Sequence, residues 1–463
     1  MIKTKIVATI GPATWDSKVL TSMYKYGFRV ARINSAFADA EELTKDKKIF
    51  RTISPDIALL MDCQGPKIRI GNLNGSLSLK AGDSFIVSTD IDQKDKPFVS
   101  HVNMHNDVKK GTLILIDDGN IQAEVIKISG QEITLLIKNS GVVTEGKTIN
   151  VPGVKLNIPL LTKQDVENIK TAVKLDYDFV GASFVQDAGE IREIRKVVND
   201  SSIGIVTKVE TAQAIENIDE IIDESDVIMI ARGDLGVELP IYKLPLFQKE
   251  IIKKCKYAEK PVIVATQMLE SMKETPRPTR AEVSDVANAI LDGTDAIMLS
   301  AESSIGKYPA EAVKIMYEVA KEVENNGFEY STYFYPEKED IEIRDAIAES
   351  AVSLATQIGT NLIVVFTRTG YTARKLSSFL PDQTILAITS FEKTVRKLQM
   401  VRGVQSVFVG DVDIPQDRDL FVQFVVEKAK DKISSVTDSD FIILNVSHEQ
   451  KGQKRGIVEV YSL

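Results

Sequence analysis

Residues 203–234 decide the fold, and they read IGIVTKVETAQAIENIDEIIDESDVIMIARGD. The segment begins with an apolar run that ends at Lys208 and Glu210, and it finishes with a second apolar run that ends at Asp234. Runs that are almost continuously apolar are typical of strands covered on both faces. The isoleucines between the two runs fall at helical spacing. The segment therefore predicts a strand, a helix and a second strand parallel to the first.

The same unit recurs along the first two thirds of the chain. Apolar runs occur at residues 3–10, 28–34, 57–63, 179–184, 203–210, 227–234, 261–268 and 296–302. Segments with helical spacing separate most of these runs, and Thr279-Arg-Ala-Glu282 forms a capping box that opens one such helix. Eight strand–helix units in series predict an α/β fold, a parallel (β/α)₈ TIM barrel.

Two segments depart from this rhythm. After the third run, helical periodicity disappears and alternating stretches such as Ser76–Leu79 and Glu132–Ile137 replace it, which predicts a small β-barrel domain. Loops at that end of a barrel strand lie over the catalytic mouth, so we expect this insertion to act as a lid. Later, strands and helices alternate again and predict a separate C-terminal α/β domain. The predicted limits are 1–66 and 159–340 for the two parts of the barrel, 67–158 for the lid and 341–463 for the C-terminal domain.

Composition excludes several classes of protein. The 463 residues are 43% apolar and 27% charged, with a net charge of −9. That charge argues against nucleic-acid or membrane-surface partners, which favour a basic face. No apolar run approaches the roughly 18 residues of a membrane span, and the N-terminus lacks the apolar core of a signal peptide. Two cysteines cannot form a disulfide framework. We therefore expect a cytoplasmic protein.

Polar residues cluster where the predicted barrel strands end, which is where barrel enzymes place their reacting groups. They are Arg32, Asn34, Asp62, Lys208, Glu210, Arg232, Asp234, Thr266 and Glu302. Charges at the ends of apolar strands are costly unless they are paired or ligated. One interpretation is an ion-pair network that closes the barrel. The other is a divalent cation held by Glu210 and Asp234, with basic residues around an anionic substrate.

The chemistry of the two carboxylates limits the choice of metal. Two carboxylates favour Mg²⁺ or Mn²⁺ over zinc. His101, His105 and His448 all lie outside the predicted barrel strands, so catalysis by a histidine acid or base is not expected.

An ordered set of motifs carries a family resemblance. The motifs are TKIVATIGPAT at 4–14, DCQGPKIR at 62–69, TKVE at 207–210, ARGDLG at 231–236, ATQMLESM at 265–272, PRPTRAE at 276–282 and SDVANAILDG at 284–293. Together they make the chain resemble pyruvate kinase along essentially its whole length. The resemblance implies transfer of the phosphoryl group of phosphoenolpyruvate to ADP, giving pyruvate and ATP in the last step of glycolysis.

The resemblance also implies roles for the strand-end residues. Glu210 and Asp234 would bind Mg²⁺ or Mn²⁺, and Lys208 would stabilise charge on the phosphoryl group and the enolate. Arg32 would hold the transferred phosphoryl group with its planar guanidinium. Thr266 would lie on the face where the enolate is protonated. Alternatively, its hydroxyl bonds to its own backbone.

Further contacts follow from the same resemblance. Backbone amides of Ala231, Arg232 and Gly233 would receive the substrate carboxylate, because a glycine permits close approach. Nucleotide contacts are expected from Asn34, Arg69 and Lys147, and a second Mg²⁺ would arrive with the nucleotide. An isolated lysine near a turn is also often a solvated side chain, which is the alternative for Lys147.

The chain departs from the family pattern at its site for a monovalent cation. Many pyruvate kinases bind K⁺ through Asn, Ser, Asp and a Thr carbonyl; here the corresponding positions are Asn34, Ala36, Asp62 and Cys63. Lys67 stands where those enzymes carry Glu, as in family members that do not need K⁺. We expect the Lys67 ammonium to lie near Asp62 and replace the ion, so that K⁺ is not required. Alternatively, Lys67 points to solvent and K⁺ still binds Asn34 and Asp62.

A loop in the C-terminal domain resembles the family's effector site for phosphorylated ligands. It comprises Thr367, Arg368, Thr369, Gly370 and Thr372, between a predicted strand and a helix beginning near residue 373. Hydroxyls and amides at a helix N-terminus favour phosphate. The alternative is an ordinary helix cap at Thr372. A phosphorylated allosteric effector and a homotetramer are therefore expectations carried by the resemblance.

Two other functions fit parts of the pattern. One is a catalytically silent, ligand-binding regulator on the same fold, which the retention of the strand-end set disfavours. The other is a Mg²⁺-dependent lyase acting on pyruvate or oxaloacetate. The lid, Arg69, Lys147 and the C-terminal domain disfavour the lyase.

Overall fold

The structure is a computed structural model that describes residues 2–36, 39–73, 75–93, 96–200, 202–326, 343–410, 415, 417–433, 441–450 and 453–461. The predicted limit between barrel and C-terminal domain, at residue 340, lies outside the described residues.

The elements follow one another in four blocks. The first part of the barrel contains β1 (Lys5–Ile10), α1 (Ser17–Lys25), β2 (Phe28–Asn34), α2 (Ala40–Ile53) and β3 (Ala58–Asp62). The lid contains β4 (Ile68–Gly71), β5 (Ser76–Leu79), β6 (Ser84–Ser88), β7 (Phe98–Val99), α3 (Met104–Asp107), β8 (Leu113–Ile116), β9 (Ile121–Ser129), β10 (Glu132–Ile137), β11 (Gly141–Thr144) and β12 (Thr148–Asn150).

The second part of the barrel contains α4 (Lys163–Lys174), β13 (Phe179–Ala182), α5 (Ala188–Val198), β14 (Gly204–Val209), α6 (Ala212–Glu216), α7 (Ile218–Glu224), β15 (Val227–Ala231), α8 (Arg232–Glu238), α9 (Leu244–Tyr257), β16 (Val262–Ala265), α10 (Arg280–Leu291), β17 (Ala296–Leu299), α11 (Ala301–Ser304) and α12 (Pro309–Asn325). The C-terminal domain contains α13 (Ile343–Ile358), β18 (Leu362–Phe366), α14 (Tyr371–Ser378), β19 (Thr384–Thr389), α15 (Glu392–Lys397), β20 (Val404–Phe408), α16 (Arg418–Lys432), β21 (Phe441–Gln450) and β22 (Gln453–Tyr461).

The predicted barrel is confirmed. Eight parallel strands close in the order β1-β17-β16-β15-β14-β13-β3-β2. Every residue is buried in all of these strands except β2, as their continuously apolar sequences require. The capping box of α10 is present: Thr279 Oγ1 accepts from the Glu282 amide, and the Glu282 carboxylate accepts from the Thr279 amide.

The inserted lid is also a closed barrel, with seven strands in the order β10-β6-β7-β4-β12-β8-β9. Alternation along β10 puts Ile133, Leu135 and Ile137 into the lid core. The lid leaves the large barrel after β3 and returns after β12, so both connections lie at the carboxyl ends of the barrel strands. The predicted insertion over the barrel mouth is confirmed.

The C-terminal domain is an α/β domain around a five-stranded sheet in the order β20-β19-β18-β21-β22. It packs against the opposite, amino-terminal end of the barrel strands. Asp178, which precedes β13, accepts from Arg396 Nε at 2.6 Å, and Lys5 Nζ donates to the Val404 carbonyl at 2.6 Å. Among the described helices, none combines the length and apolar character needed to cross a membrane.

Candidate active site

Strands β2, β3 and β14 bring Arg32, Asp62 and Lys208 together at the barrel mouth. Arg32 donates to Asp62 Oδ2 from Nε at 2.9 Å and from Nη2 at 2.5 Å, and Lys208 Nζ lies 3.5 Å from the same oxygen. Burial alone would raise the pKa of Asp62, but the charges of Lys208 and Arg32 outweigh it and hold the pKa below its usual value. Asp62 is therefore an ionised anchor that fixes both cations.

Lys208 is a buried ammonium with three oxygen neighbours. Besides Asp62, its Nζ lies 2.9 Å from Glu210 Oε1 and donates to Ser183 Oγ at 2.8 Å. Burial lowers the pKa of Lys208, but the charges of Asp62 and Glu210 outweigh burial and raise it above its usual value. The side chain is thus held protonated, which fits a stabiliser of negative charge and not a general base.

Glu210 and Asp234 follow neighbouring strands and form the carboxylate pair that the sequence predicts. Glu210 is wholly buried, and its Oε2 accepts from the Phe184 amide at 2.8 Å. Burial raises the pKa of Glu210; Lys208 opposes this shift and the charge of Asp234 adds to it. A divalent cation between the carboxylates would relieve both the burial and the repulsion, so the residues fit Mg²⁺ or Mn²⁺.

The carboxylate pair is a sparse ligand set. Within the described part of the chain, no group of three or more His, Cys, Asp or Glu side chains is arranged to hold a metal. Two protein carboxylates leave most positions on a hexacoordinate ion for water and substrate oxygens, which is the common arrangement for Mg²⁺ in phosphoryl-transfer enzymes.

Thr266 has strained backbone geometry. Its φ is +69°, and Gln267 beside it has φ +53°, in the region that non-glycine residues rarely occupy. The Thr266 hydroxyl donates to the Ala265 carbonyl at 2.6 Å and accepts from the Gly233 amide at 2.7 Å. The hydroxyl therefore has the backbone contact of the alternative interpretation, and it also fixes the loop whose amides were expected to receive the substrate.

The Arg232 side chain points away from that loop's amides. Its guanidinium donates to Asp285 Oδ1 and to the Thr266 carbonyl, both at 2.8 Å. It therefore holds α10 against the segment that follows β16. This leaves only the backbone of Arg232, with that of Ala231 and Gly233, for contact with a ligand, and of these the Gly233 amide already donates to Thr266 Oγ1.

Lys67 lies between the lid and the barrel. Its Nζ donates to Asp234 Oδ1 at 3.2 Å and lies 5.4 Å from the centroid of the Phe184 ring. The sequence predicts the Lys67 ammonium near Asp62, and this geometry corrects that prediction. The cations paired with Asp62 are Arg32 and Lys208, whereas Lys67 pairs with Asp234. Its side chain is 29% exposed, so it does not simply point to solvent.

Most of the oxygens expected to hold K⁺ already have donors, and Asp62 Oδ1 is the exception among the described residues. Asn34 Oδ1 accepts from the Ala36 amide at 3.1 Å, and the Cys63 carbonyl accepts from Ser183 Oγ at 2.7 Å. On Asp62, Oδ2 is taken by Arg32 and Lys208, while Oδ1 has no hydrogen-bond donor among the described residues. Phe37 and Ala38, which follow in the same motif, lie outside the described residues.

The predicted nucleotide residues Arg69 and Lys147 lie together on the lid. Arg69 is paired with Thr148 across β4 and β12, and its Nη1 donates to the Gly146 carbonyl at 2.7 Å. Lys147 Nζ forms an ion pair with Asp117 Oδ1 at 2.6 Å. Within the described residues, no hydrogen bond or ion pair joins either side chain to Arg32 or Lys208.

The predicted effector loop is compact. Thr367 Oγ1 accepts from the Gly370 amide at 3.0 Å, and the Arg368 carbonyl accepts from Thr394 Oγ1 at 2.7 Å. Helix α14 begins at Tyr371 with Gly370 as its N-cap, at φ +78°. The alternative in which Thr372 caps the helix is therefore wrong, and the predicted start near residue 373 lies two residues too late.

Sequence reasoning missed four contributors to the site. They are Thr9, which accepts from Arg32 Nη1, Ser183, the Phe184 amide and Asp117. Ser183 directly follows β13, so its position at a strand end was a usable signal. Glu302, by contrast, holds loops: it accepts from the Leu269 and Ser300 amides.

Gly181→Ala tests whether Asp62 organises the cations. Gly181 faces Asp62 across β13 and β3, and an added Cβ would lie 2.3 Å from Asp62 Oδ1. We expect the variant to lose about 1–3 kcal/mol of stability through overpacking, together with most of its activity. Thermal unfolding and steady-state rates check this. Gly236→Ala is the control, because a Cβ at that position would contact only Leu244, at an ordinary distance of 3.7 Å. Equal activity in Gly181→Ala and Gly236→Ala would contradict the role of Asp62.

The fold and the site together define a class: a lidded barrel enzyme whose mouth is built for an anionic substrate. Comparison with known proteins points to a single family. The family profile "Pyruvate kinase, barrel domain" matches residues 1–313, and "Pyruvate kinase, alpha/beta domain" matches residues 345–456.

Individual relatives agree over most of their length. The chain is 40% identical to a pyruvate kinase of Bacillus licheniformis, over 100% of this chain and 80% of that protein. It is 41% identical to a pyruvate kinase of Geobacillus stearothermophilus, over 87% of this chain and 71% of that protein. A crystal structure of a pyruvate kinase from Cryptosporidium parvum superposes with a TM-score of 0.91 at 33% identity, covering 100% of this chain and 96% of that one. The chain belongs to the pyruvate kinase family, whose reaction moves a phosphoryl group from phosphoenolpyruvate to ADP.

Proposed function

We propose that phosphoryl transfer from phosphoenolpyruvate to ADP takes place at the mouth of the large barrel, around Lys208. The observation that carries the proposal is the buried Lys208 ammonium, 2.9 Å from Glu210 and 3.5 Å from Asp62, beside the carboxylate pair. Phosphoryl transfer needs little covalent chemistry from a protein and much positioning of charge. A fixed, permanently protonated cation supplies that charge without reorganisation.

The substrate-binding roles follow from the chemistry of each side chain. Arg32 holds the transferred phosphoryl group, and Lys208 stabilises negative charge on that group and on the enolate oxygen as the phosphorus–oxygen bond breaks. The backbone of Ala231, Arg232 and Gly233 receives the carboxylate, and for this the Gly233 amide exchanges its bond to the Thr266 hydroxyl for one to the substrate. Thr266 positions that backbone and lies on the face from which a proton reaches the enolate carbon.

Glu210 and Asp234 would hold Mg²⁺ or Mn²⁺. When bound, the ion acts as a Lewis acid that polarises the substrate oxygens. The nucleotide brings a second Mg²⁺. Asn34, Arg69 and Lys147 contact ADP, and the lid that carries Arg69 and Lys147 closes over the mouth and excludes water, which would otherwise accept the phosphoryl group.

The experiment that tests this function is a paired measurement of pyruvate and ATP from phosphoenolpyruvate and ADP. Equal amounts of both products support the proposal. Pyruvate without ATP would favour a hydrolytic or lyase activity, and neither product would favour a silent regulator.

Independence from K⁺ is a further part of the proposal. The Lys67 ammonium supplies positive charge beside Asp234, and it contributes to the field at Glu210. Three observations support the absence of a K⁺ site: Asn34 Oδ1 and the Cys63 carbonyl have internal donors, Ala36 cannot supply a hydroxyl, and two cations already share Asp62 Oδ2.

We expect equal turnover in potassium and tetramethylammonium salts at matched ionic strength. Lys67→Glu should create K⁺ activation of at least about tenfold, because it restores a carboxylate and removes the competing charge. Lys155→Glu is the matched control: that lysine also lies near the lid junction but is 68% exposed, and its partner is Asp187. Strong K⁺ activation of the unmodified enzyme would contradict the proposal.

The remaining proposals concern the whole molecule. The loop of Thr367 to Thr372 binds a phosphorylated effector, and the enzyme is a cytoplasmic homotetramer with the domain limits given above. Exposed apolar side chains between α8 and the first turn of α9 support an oligomer, because isolated monomers rarely leave such a patch uncovered; they are Ile241, Tyr242 and Leu246. Light scattering of the purified chain tests the tetramer.

A further inference from the structure

A cavity lies at the base of the barrel, at the end away from the carboxylate pair. It opens to solvent and is bordered by the amino-terminal ends of β1 and β2 and by β20 of the C-terminal domain. Its polar lining comprises Thr4, Lys5, Lys25, Arg29, Tyr317 and Gln405. Three of these side chains are cations, and among the described lining residues none is a carboxylate.

Two of the cations are only partly satisfied. Lys5 is 4% exposed, and its ammonium donates one hydrogen bond, to the Val404 carbonyl at 2.6 Å, although it carries three donors. Arg29 donates from Nη1 alone, to the Tyr24 and Phe28 carbonyls at 2.9 and 2.8 Å. In the described part of the chain, neither side chain forms an ion pair with a carboxylate.

Two acids, Glu324 and Asp295, act on Lys5 through their charge, but within the described residues neither forms an ion pair with it. Glu324 accepts from the amides of Lys3 and Thr4 and from the Thr4 hydroxyl, and Asp295 pairs with Lys256. Burial and the charge of Arg29 lower the pKa of Lys5 to about 7, with Glu324 and Asp295 opposing the shift only in part. Lys5 is thus buried beside a second, half-buried cation, and an anion that contacts both would stabilise the protonated form of Lys5.

We propose that this cavity binds a small dianionic oxyanion, a phosphate group, between Lys5, Arg29 and Lys25. Tyr317 and Gln405, which also line the cavity, are neutral. A dianion matches the excess of positive charge better than a monocarboxylate does, and guanidinium and ammonium groups are the usual protein partners of phosphate. The oxyanion is either free inorganic phosphate or the phosphate of a small monoester.

The position gives the site two structural consequences. A ligand held by Lys5, Arg29 and Gln405 would tie the barrel to the C-terminal sheet. It would also stabilise the amino-terminal ends of β1 and β2, the strands whose other ends carry Thr9 and Arg32. The proposal does not depend on the assigned reaction, because the cavity is separate from the barrel mouth.

Selenate-soaked crystals of the full-length enzyme test the proposal directly, since the anomalous signal of selenium locates the anion. We expect a selenium peak in this cavity. Calorimetric titration of inorganic phosphate and of glycerol 3-phosphate should then show a binding event that weakens at least about tenfold in Arg29→Met and in Lys5→Met. Tighter binding of the monoester identifies a phosphorylated metabolite as the ligand class, and tighter binding of inorganic phosphate identifies the free ion.

Controls separate this site from the other anion sites. Lys18→Met, on the first turn of α1, removes a lysine outside the cavity and should leave phosphate binding in the cavity unchanged. Arg368→Ala removes a cation from the proposed effector loop and should also leave that binding unchanged. If Arg29→Met or Lys5→Met does not fold, Lys25→Met replaces it in the titration, because Lys25 is exposed. The absence of a selenium peak in the cavity, or titrations that Arg29→Met and Lys25→Met leave unchanged, would overturn the proposal.

Discussion

Lys208→Met is expected to lower kcat by about two to three orders of magnitude while changing KM for phosphoenolpyruvate far less. The methionine keeps most of the side-chain volume in a buried position but removes the charge. Arg32 still holds the phosphoryl group in the ground state, whereas no other ammonium is in contact with both Glu210 and Asp62 among the described residues. The lost charge should therefore lower kcat, which reports stabilisation of the transition state, and leave KM for phosphoenolpyruvate nearly unchanged.

The matched control is Lys254→Met, the same change at a lysine on the outer surface of the barrel, paired with Asp219. It should leave kcat unchanged. Circular dichroism must show both variants folded, because Lys208→Met leaves the buried Glu210 without its ion-pair partner. Equal losses in binding and in turnover would assign Lys208 a purely binding role.

Glu210→Gln is expected to lower turnover at saturating Mg²⁺ by at least about a hundredfold. The amide keeps the size of the side chain, and its oxygen can still accept from the Phe184 amide, so the fold should be preserved. What it removes is one of the two anionic ligands. Activity as a function of Mg²⁺ concentration checks this, and Glu216→Gln, an exposed acid on α6, is the control. Unchanged turnover in Glu210→Gln would remove Glu210 from the metal site.

The barrel could be predicted because its signal is repeated and local. Each strand lies in a continuously apolar run, and the capping box of α10 is complete within Thr279–Glu282. The carboxylate pair could be predicted because strands 14 and 15 are neighbours, so Glu210 and Asp234 must meet wherever a parallel barrel closes. The barrel, the capping box and the carboxylate pair all depend on the spacing of residues along the sequence.

Side-chain direction could not be predicted in the same way. Lys67 pairs with Asp234, 167 residues away, and the lid junction rather than local sequence decides that contact. The Arg232 guanidinium turns to the Asp285 carboxylate and the Thr266 carbonyl, partners that lie 53 and 34 residues away in the chain. Ser183 was missed because an isolated serine carries no motif, although its hydroxyl links Lys208 to the Cys63 carbonyl.

The central claim is that Glu210 and Asp234 hold a divalent cation beside Lys208, and Mn²⁺ binding in the absence of nucleotide tests it most directly. Electron paramagnetic resonance titration should detect one protein-bound Mn²⁺ per chain in the unmodified enzyme. It should detect strongly weakened binding in both Glu210→Gln and Asp234→Asn, with Glu216→Gln unchanged. Full Mn²⁺ affinity in both site variants would contradict the account.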